Sequence, residues 1–321
     1  MKQAVITGVA GFLGSCLAKT LLTDNGYSVT GIDNISTGRM EKVKRLTSYP
    51  NFTFIEGDIC SEPLIDLEIL QNVEEIYHLA SPASPKMYQK DPLGTISVNT
   101  IGTKNMLELA KRTGAKLLYS STSEIYGDPL VHPQPETYRG NVTTCGPRAC
   151  YDESKRLGEV YCYLYHTEFD TKVTVARIFN TYSSGLAQYD GRVISNLVTQ
   201  ALTNKELTIY GDGMQTRSFC YVDDTIRGFQ KMMGTECATG EIYNIGHPEE
   251  YTILEVAELI KKLTGSCSPI VFKDLPIDDP QIRCPDISKA MKQLDWKPEI
   301  DLQEGLKRTI AEYRRQLGKY E

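Results

Sequence analysis

The sequence lacks the features of a membrane, secreted or nucleic-acid-binding protein. Its 321 residues contain no apolar run long enough to cross a membrane, which takes about 20 residues, and no N-terminus of the signal-peptide type. The net charge is −6, and no run of lysine and arginine could follow a nucleic-acid backbone. We therefore expect no membrane and no nucleic-acid partner, although isolated basic residues can still bind one phosphorylated small molecule.

Metal-binding patterns are also missing. The chain has 9 cysteines without a C-x-x-C motif, and its 4 histidines lie far apart, whereas zinc sites use short and regular ligand spacings. We therefore expect no metal. An odd number of scattered cysteines is typical of reduced thiols, so the sequence predicts a cytoplasmic protein.

Short apolar runs alternate with amphipathic segments through the first half of the chain. The apolar runs, rich in β-branched residues, are 4–7, 28–33, 53–56, 75–79, 116–121 and 173–178. The amphipathic segments between them are 12–23, 37–48, 99–113 and 151–169. This alternation predicts an α/β fold with a Rossmann-type, doubly wound parallel sheet.

The second half is less regular and predicts a smaller α/β lobe. Helices are expected at 193–203 and 223–233, and a strand at 206–210. The patterns Thr252-x-x-Glu255 and Asp301-x-x-Glu304 predict helix starts with capping boxes, and three prolines predict a fixed loop over 276–286. We predict an NAD-binding domain over 1–180 to which 206–245 partly return. Residues 181–205 and 246–321 are predicted to form a lobe that binds the substrate.

Three glycines mark the first predicted turn as a nucleotide site. Gly8, Gly11 and Gly14 follow the first strand and open the first helix, where glycine lets the backbone approach a pyrophosphate closely. The strand–turn–helix context makes this short motif specific. Asp33 ends the second strand and can accept both ribose hydroxyls of NAD, while Arg39 nearby leaves NADP as an alternative. The other cofactor-contact candidates are Phe12, Leu13, Asn34, Asp58, Ile59, Leu79, Ala80 and Ser81.

A tyrosine and a lysine four residues apart predict the catalytic centre. Tyr151 and Lys155 project from one face of a predicted helix. A phenol that acts as a base near pH 7 needs its pKa lowered by about 3 units, and we expect a nearby ammonium and a cationic nicotinamide ring to favour the phenolate. Tyr151 and Lys155 are also candidates for contacting the cofactor, and they are the two such candidates outside the first 81 residues.

Three more polar residues follow the predicted fifth strand. Thr122, Ser123 and Glu124 lie just beyond its carboxyl end, the edge where open parallel sheets bind ligands. Ser123 can share a proton with the substrate oxygen that Tyr151 deprotonates. Glu124 is a second titratable group suited to general acid–base chemistry.

Longer motifs resemble those of the extended short-chain dehydrogenase/reductases over essentially the whole chain. These motifs are HLASPASP (78–85), STSEIYGDP (121–129), GPRACYDESKR (146–156), ARIFNTY (176–182), DGRVISN (190–196), YGDGMQTRSFCYVDD (210–224) and DDPQIRCPDI (278–287). Within the family the resemblance is strongest to the UDP-glucuronate decarboxylases. Related 4,6-dehydratases usually carry Asp-Glu where this chain has Ser123-Glu124, and 4-epimerases usually carry a small residue in place of Glu124.

The resemblance implies a mechanism and a set of substrate contacts. Tyr151 would deprotonate the C4 hydroxyl of the sugar while NAD⁺ takes the C4 hydride, and Lys155 would hold the nicotinamide ribose. Glu124 and Arg283 would then assist decarboxylation of the UDP-4-keto intermediate, before the hydride returns and NAD is regenerated. The candidates for binding the nucleotide sugar are Asn180, Arg192, Tyr210, Gln215, Arg217 and Arg283.

Two departures from the family pattern keep alternatives open. Ser183-Ser184-Gly185 replaces a usual Gly-Pro-Arg, and Ser97 stands where a lysine is common. Another nucleotide-sugar enzyme of the same fold, a 4-epimerase or a 4,6-dehydratase, is the second interpretation. A non-catalytic NAD-binding regulator is the third. The resemblance also implies a homodimer in which helices 99–113 and 151–169 of two subunits form a four-helix bundle.

Overall fold

The protein is described here by a computed structural model, which covers residues 1–24, 26–188, 190–275 and 282–318. Its strands in chain order are β1 (Lys2–Thr7), β2 (Tyr27–Asp33), β3 (Phe52–Glu56), β4 (Glu75–His78), β5 (Lys116–Thr122), β6 (Val173–Ile178), β7 (Thr181–Tyr182), β8 (Leu207–Tyr210), β9 (Thr216–Ser218), β10 (Cys220–Tyr221), β11 (Ile242–Ile245), β12 (Glu250–Thr252), β13 (Ile270–Lys273) and β14 (Ile282–Arg283).

Eleven α-helices lie between and after these strands in the described ranges. In order they are α1 (Phe12–Thr23), α2 (Met40–Leu46), α3 (Pro85–Tyr88), α4 (Pro92–Ser97), α5 (Thr103–Thr113), α6 (Ala149–Phe169), α7 (Val193–Leu202), α8 (Val222–Gly234), α9 (Ile253–Thr264), α10 (Ser288–Leu294) and α11 (Leu302–Gln316). None of the helices in these ranges combines the length and the apolarity needed to cross a membrane.

A seven-stranded parallel sheet forms the centre of the fold and confirms the predicted class. Its strands lie in the order β3-β2-β1-β4-β5-β6-β11, so the winding direction reverses between β1 and β4. Open parallel sheets bind their ligands at such a switch point, beyond the carboxyl ends of the strands. We therefore expect a ligand site at the segments that follow β1, β2, β4 and β5.

Both faces of this sheet are covered by apolar side chains. Ala4 and Ile6 of β1 belong to one buried cluster, and Val5 between them belongs to another. Successive side chains of a strand point to opposite faces, so each face of the sheet packs against its own layer of helices. This two-sided burial explains why the strands are continuous apolar runs rather than alternating ones.

Smaller sheets and helices build the C-terminal part. Strand β8 pairs with β13, and β9 lies between β12 and β14, whereas β11 and α8 pack with the large sheet. Trp296 is buried, and its indole N–H donates to the carbonyl of Asp224 at 3.0 Å. The division into an NAD-binding domain and a substrate lobe stays a prediction.

Most predicted elements are present, with two informative differences. The helix expected from residue 99 instead begins at Pro92, where Asp91 accepts from the backbone N–H of Gly94 at 2.9 Å. It continues through a π-helical turn at Val98–Gly102 into α5. The prediction of an unbroken loop over 276–286 is wrong at Ile282–Arg283, which pair with β9 as strand β14. Residues 276–281 of that loop lie outside the described ranges.

The two predicted capping boxes differ in outcome. At Thr252 both halves form, because its hydroxyl accepts from the Glu255 N–H and the Glu255 carboxylate accepts from the Thr252 N–H. At Asp301 the carboxylate accepts from the Glu304 N–H at 2.8 Å, but the Glu304 side chain accepts from Arg308 instead. At the start of α11 the Asp301 cap therefore forms alone, and Glu304 forms an ion pair with Arg308 instead of completing the capping box.

Candidate active site

The turn between β1 and α1 can only be built from glycine. Gly8 has a φ of +72°, and a Cβ at Gly14 would lie 2.2 Å from the carbonyl oxygen of Gly8. The Gly11 N–H donates to the same oxygen at 3.0 Å. No side chain caps α1 at Gly11, so the first N–H groups of the helix are left for an anion such as a pyrophosphate.

A cavity of about 560 Å³ opens over this turn. It is lined by every predicted cofactor-contact residue outside the Tyr151–Lys155 pair: Gly8, Gly11, Phe12, Leu13, Gly14, Asp33, Asn34, Asp58, Ile59, Leu79, Ala80 and Ser81. Its volume is in the usual range for small-molecule sites. The glycine turn, the uncapped helix and the carboxylate at the end of β2 together fit a dinucleotide.

Backbone groups hold the carboxylate of Asp33 in place. It accepts from the N–H groups of Ala10 at 2.9 Å and Ile35 at 2.8 Å. Burial raises its pKa, and these two hydrogen bonds act in the opposite direction. A carboxylate has about four acceptor positions, so two bonds leave room for ribose hydroxyls. Asn34 donates to Asp58 at 3.3 Å across the same rim, and Arg39 also lines the cavity.

Lys42 is a cavity residue that the sequence did not single out. Its ammonium donates to the carbonyl oxygens of Gly11 at 3.0 Å and Gly185 at 2.8 Å. Burial lowers its pKa to about 8. Gly185 belongs to the Ser183-Ser184-Gly185 departure, so a lysine contacts the loop in which the family usually has an arginine. Because Lys42 resembles the exposed Lys44 of the same helix in sequence, no local signal marks it.

A buried histidine lies at the switch point between β1 and β4. His78 contacts the hydroxyls of Thr7 and Thr103, each at 2.9 Å. Burial lowers its pKa to about 3, so the ring is neutral at physiological pH. The Thr7 hydroxyl in turn accepts from the N–H groups of Leu79 and Ala80. This network fixes the backbone that lines the cavity and leaves no proton-transfer role for His78.

Tyr151 and Lys155 lie on α6, the helix that the sequence predicted for them, and both are buried. The ammonium of Lys155 donates to the Ser120 carbonyl at 2.7 Å, and burial lowers its pKa to about 7. Burial raises the pKa of Tyr151, while a hydrogen bond with Thr122 and the charge of Arg192 favour the phenolate. The protein alone therefore does not lower the pKa of the phenol, contrary to the expected effect of Lys155.

Glu124 lies between two arginines. It accepts from Arg148 and from Arg283, and Arg283 also donates to the Gly127 carbonyl at 3.2 Å. Burial alone would raise the pKa of Glu124, but the attraction of Arg283 and Arg148 outweighs it and lowers the pKa to about 2. The carboxylate is thus ionised at neutral pH. This differs from the expected proton-carrying role, which would require the ion pairs to part.

The predicted substrate contacts fall into four places. Arg217 and Arg283 are paired residues on the neighbouring strands β9 and β14. Gln215 donates to the carbonyl of Tyr210 at 2.6 Å in the turn between β8 and β9. Arg192 lines the nucleotide cavity, with its guanidinium 3.0 Å from Asp190, and Asn180 follows β6.

Tyr88, Arg148 and Asp152 complete the surroundings of Tyr151 and were missed from the sequence. The ring of Tyr88 stacks on Tyr151 with centroids 4.9 Å apart. Arg148 pairs with Glu124, and Asp152 is buried one helical turn after Arg148. Of these three, only Asp152 and Arg148 gave a signal in the sequence, since both lie in the GPRACYDESKR motif that marks this helix.

A parallel sheet of this winding, a glycine turn after β1 and a buried Tyr-x-x-x-Lys pair on α6 define an extended short-chain dehydrogenase/reductase. The chain belongs to this family, because the family model described as GDP-mannose 4,6 dehydratase matches residues 5–309. That finding confirms the resemblance and the fold class drawn from the sequence.

Comparison with individual proteins refines the picture. The chain is 50% identical over 316 residues to UDP-glucuronic acid decarboxylase 1 of Danio rerio, covering 98% of this chain and 73% of that protein. It is 46% identical over 316 residues to UDP-glucuronic acid decarboxylase 5 of Arabidopsis thaliana, covering 98% and 90%. A crystal structure of UDP-glucuronic acid 4-epimerase from Bacillus cereus with UDP-glucuronic acid and NAD superposes with a TM-score of 0.89 at 31% identity, covering 98% and 99%.

Proposed function

We propose that this protein catalyses the NAD-dependent decarboxylation of UDP-glucuronate to UDP-xylose. The observation that carries the proposal is the Glu124–Arg148–Arg283 cluster beside the buried Tyr151, in a chain about half identical to decarboxylases of that substrate. Arginines close to a sugar-oxidising tyrosine provide a reason to bind a sugar acid rather than a neutral sugar.

The glycine turn and Asp33 would hold the dinucleotide. Gly8, Gly11 and Gly14 bring backbone N–H groups to the pyrophosphate, and Asp33 accepts the hydroxyls of the adenosine ribose. Lys155 binds the nicotinamide ribose. When bound there, NAD would supply a reversible hydride acceptor for C4 of the sugar, so that C5 of the acid would for a time lie next to a carbonyl.

Tyr151 takes the proton of the C4 hydroxyl and returns it at the end of the cycle. Thr122 hydrogen-bonds to its phenol and orients it, and Ser123 is the second hydroxyl next to the substrate oxygen. With the C4 carbonyl formed, the C5–carboxylate bond breaks, CO₂ leaves, and the electron pair moves onto the C4 oxygen. A proton then adds to C5.

Arg283 binds the carboxylate of the substrate and Glu124 holds the arginines in place. The very low pKa of Glu124 supports this structural part of its role in the ground state. The nucleotide contacts in the proposal are Asn180, Arg192, Tyr210, Gln215 and Arg217. Arginines suit a diphosphate because their donors are always charged and fixed in a plane.

The test is to incubate the purified protein with NAD and UDP-glucuronate and to follow the products by mass. We expect a UDP-pentose and one CO₂ per turnover, with no net change in the oxidised cofactor. Release of unchanged UDP-glucuronate under all conditions, or an isomer of equal mass, would contradict the proposal.

A 4-epimerase of UDP-glucuronate is the second candidate. The Bacillus cereus epimerase shares the fold at 31% identity. In this chain Ser97, rather than a lysine, lines the cavity, and a smaller residue leaves the room that a rotating 4-keto sugar needs. An isomer without CO₂ release would favour this candidate, and loss of water from UDP-glucose would favour a 4,6-dehydratase.

We also propose a homodimer formed by the rods α4–α5 and α6. Large apolar side chains are exposed on both: Leu93, Ile96, Ile101, Leu157, Val160, Tyr163 and Leu164. Leu157, Val160 and Leu164 are spaced three and four residues apart and so share one face of α6. Two copies of such a face would bury each other in a four-helix bundle. A cytoplasmic location stays a prediction.

Light scattering during gel filtration tests the dimer. We expect a mass of twice 36.0 kDa for the protein, and a monomer for a Val160→Glu/Leu164→Glu variant. The control is Leu130→Glu, which changes an exposed apolar residue outside the two rods. A monomeric wild type, or a dimer that survives the double change, would exclude this interface.

A further inference from the structure

Three buried polar atoms without hydrogen-bond partners surround Glu124 in the described part of the chain. They are the hydroxyl of Tyr88, Oδ1 of Asp152 and Nε of Arg283. Buried polar groups are nearly always hydrogen-bonded, so three exceptions around one charged cluster indicate a place for a polar ligand. We name Tyr88, Glu124, Asp152 and Arg283 the acid cluster.

Asp152 is the carboxyl of the acid cluster that has no assigned role. Its side chain is 7% exposed, and its backbone N–H donates to the Arg148 carbonyl at 3.1 Å in the first turn of α6. Charged and titratable groups from the surrounding segments interact with it: Tyr88 from α3, Glu124 after β5, Arg148 before α6, Arg283 from β14, and Cys150, Tyr151 and Glu153 on its own helix.

The two carboxyls of the acid cluster have opposite protonation behaviour. Glu124 is held by the arginines, so its pKa is low. Burial and the negative charge of Glu124 raise the pKa of Asp152 to about 7, against the attraction of Arg148 and Arg283. When two carboxyls share a site, one ionises easily and the other keeps its proton. A third carboxylate in the same place would strengthen that preference.

We propose that Asp152 is a positioning residue that takes up a proton when the carboxylate of the substrate enters the acid cluster. Protonated Asp152 offers an O–H donor to that carboxylate, next to the phenol of Tyr88 and Nε of Arg283. Ionised Asp152 offers only acceptors and repels it. Acidic sugars are thus selected only while Asp152 carries a proton. This inference rests on the proposed substrate, because it assigns the binding site for the carboxylate of that substrate.

The sign of the pH dependence follows from this linkage. Below pH 7 Asp152 already carries the proton and binding of UDP-glucuronate is strongest. Above pH 7 each binding event must take a proton from solution, so affinity falls by about tenfold per pH unit. A neutral nucleotide sugar such as UDP-glucose neither needs the proton nor changes its affinity in this range.

Proton uptake on binding tests the inference directly. NAD-loaded protein carrying Tyr151→Phe, which binds without turnover, is mixed with UDP-glucuronate in weak buffer with a pH indicator. We expect uptake of about one proton per site at pH 8.5, little at pH 5.5, and none with UDP-glucose. Equal uptake with both sugars, or none at either pH, would overturn the inference.

A pair of variants provides the second test. Asp152→Asn copies the neutral side chain, so the KM for UDP-glucuronate should stay flat from pH 6 to 9, while that of the wild type rises about tenfold per unit above pH 7. Glu153→Gln, the adjacent carboxyl, should follow the wild type. If Asp152→Asn keeps the wild-type slope, the inference fails even though CO₂ is released. If no CO₂ is released but proton uptake is seen, only the proposed reaction fails.

Discussion

The nucleotide end and the acid end of the site are built in different ways. The nucleotide end is centred on one stretch, from the glycine turn after β1 to Asp33 at the end of β2, where backbone groups make many of the hydrogen bonds, and segments after β3 and β4 complete its lining. The acid end joins side chains from α3, the turn after β5, the start of α6 and strand β14.

This difference determines how each end tolerates change. At the nucleotide end the requirement is steric, because an added Cβ collides with backbone. At the acid end the requirement is electrostatic, because each charge sets the protonation of the next. Variants of the glycine turn should therefore change cofactor affinity at every pH, while variants at the acid end should change the chemistry and its pH dependence.

The largest effect should come from Tyr151→Phe, which belongs to the chemistry and to neither binding end. Loss of the phenol O–H removes the group that moves the C4 proton, and general acid–base groups contribute about 10²–10⁴-fold. We expect turnover to fall about a thousandfold with NAD affinity nearly unchanged. CO₂ release and calorimetric NAD titration measure the two quantities, with Tyr161→Phe on the same helix as control. Retained turnover would remove Tyr151 from the mechanism.

The next effect concerns Glu124→Gln at the acid end. Arg148 and Arg283 would lose the carboxylate they share. Breaking a buried ion pair lowers the free energy of unfolding by about 3–5 kcal/mol. Because Glu124 is partly exposed, we expect a smaller decrease of about 2 kcal/mol. We also expect decarboxylation to slow more than the initial oxidation, so that the 4-keto acid accumulates. Urea unfolding and rapid-quench product analysis measure both.

The matched control for this change is Glu159→Gln. Glu159 accepts from Arg177 at 2.8 and 3.0 Å in a similarly buried pair, away from the acid cluster. Glu159→Gln should lower the free energy of unfolding by a comparable amount, while the ratio of the decarboxylation rate to the oxidation rate stays that of the wild type. If Glu124→Gln slows both steps equally, its assigned role in decarboxylation is wrong.

The sequence predicted the nucleotide end well because its signals are local. A glycine turn, a strand-end aspartate and a capping box such as that at Thr252 are each defined by residues a few positions apart. The same locality explains the good agreement of α1, α6 and β6 with their predicted ranges. The continuous helix from Pro92 was missed because Gly94 and Gly102 and the β-branched residues between them have low helix propensity, which tertiary packing overrides.

At the acid end the residues were predictable but their protonation was not. Glu124 and Arg283 were recognised by motif, yet their contact joins positions 159 residues apart. That contact turns a candidate proton carrier into a fixed anion, and it leaves Asp152 as the carboxyl that titrates near neutrality. Protonation depends on distances between side chains from distant segments, and such distances are absent from any local pattern.

Gly14→Ala tests the steric requirement of the nucleotide end. The new Cβ would lie 2.2 Å from the Gly8 oxygen and 2.9 Å from Val9, so the turn must shift. We expect about 1–3 kcal/mol lower stability and at least about tenfold weaker NAD binding, at all pH values. Gly234→Ala, where a Cβ meets nothing within 4 Å, is the control. Normal NAD affinity in Gly14→Ala would show that the turn does not bind the cofactor.

Lys42→Met should have the smallest effect. It tests whether the charge of a side chain contributes to NAD binding at the nucleotide end. The ammonium lies at the glycine turn, and its pKa of about 8 reflects burial. A charged Lys42 favours the pyrophosphate below pH 8, and that contribution is lost as the pH rises through 8. We expect two- to fivefold weaker NAD binding near pH 7, an electrostatic contribution of about 0.5–1 kcal/mol, and equal affinities of variant and wild type near pH 9.5.

Lys44→Met, an exposed change on the same helix, should leave the pH profile unaltered. A pH-independent loss in Lys42→Met would mean that the lysine acts only by joining Gly11 to Gly185, and the nucleotide end would then be steric throughout.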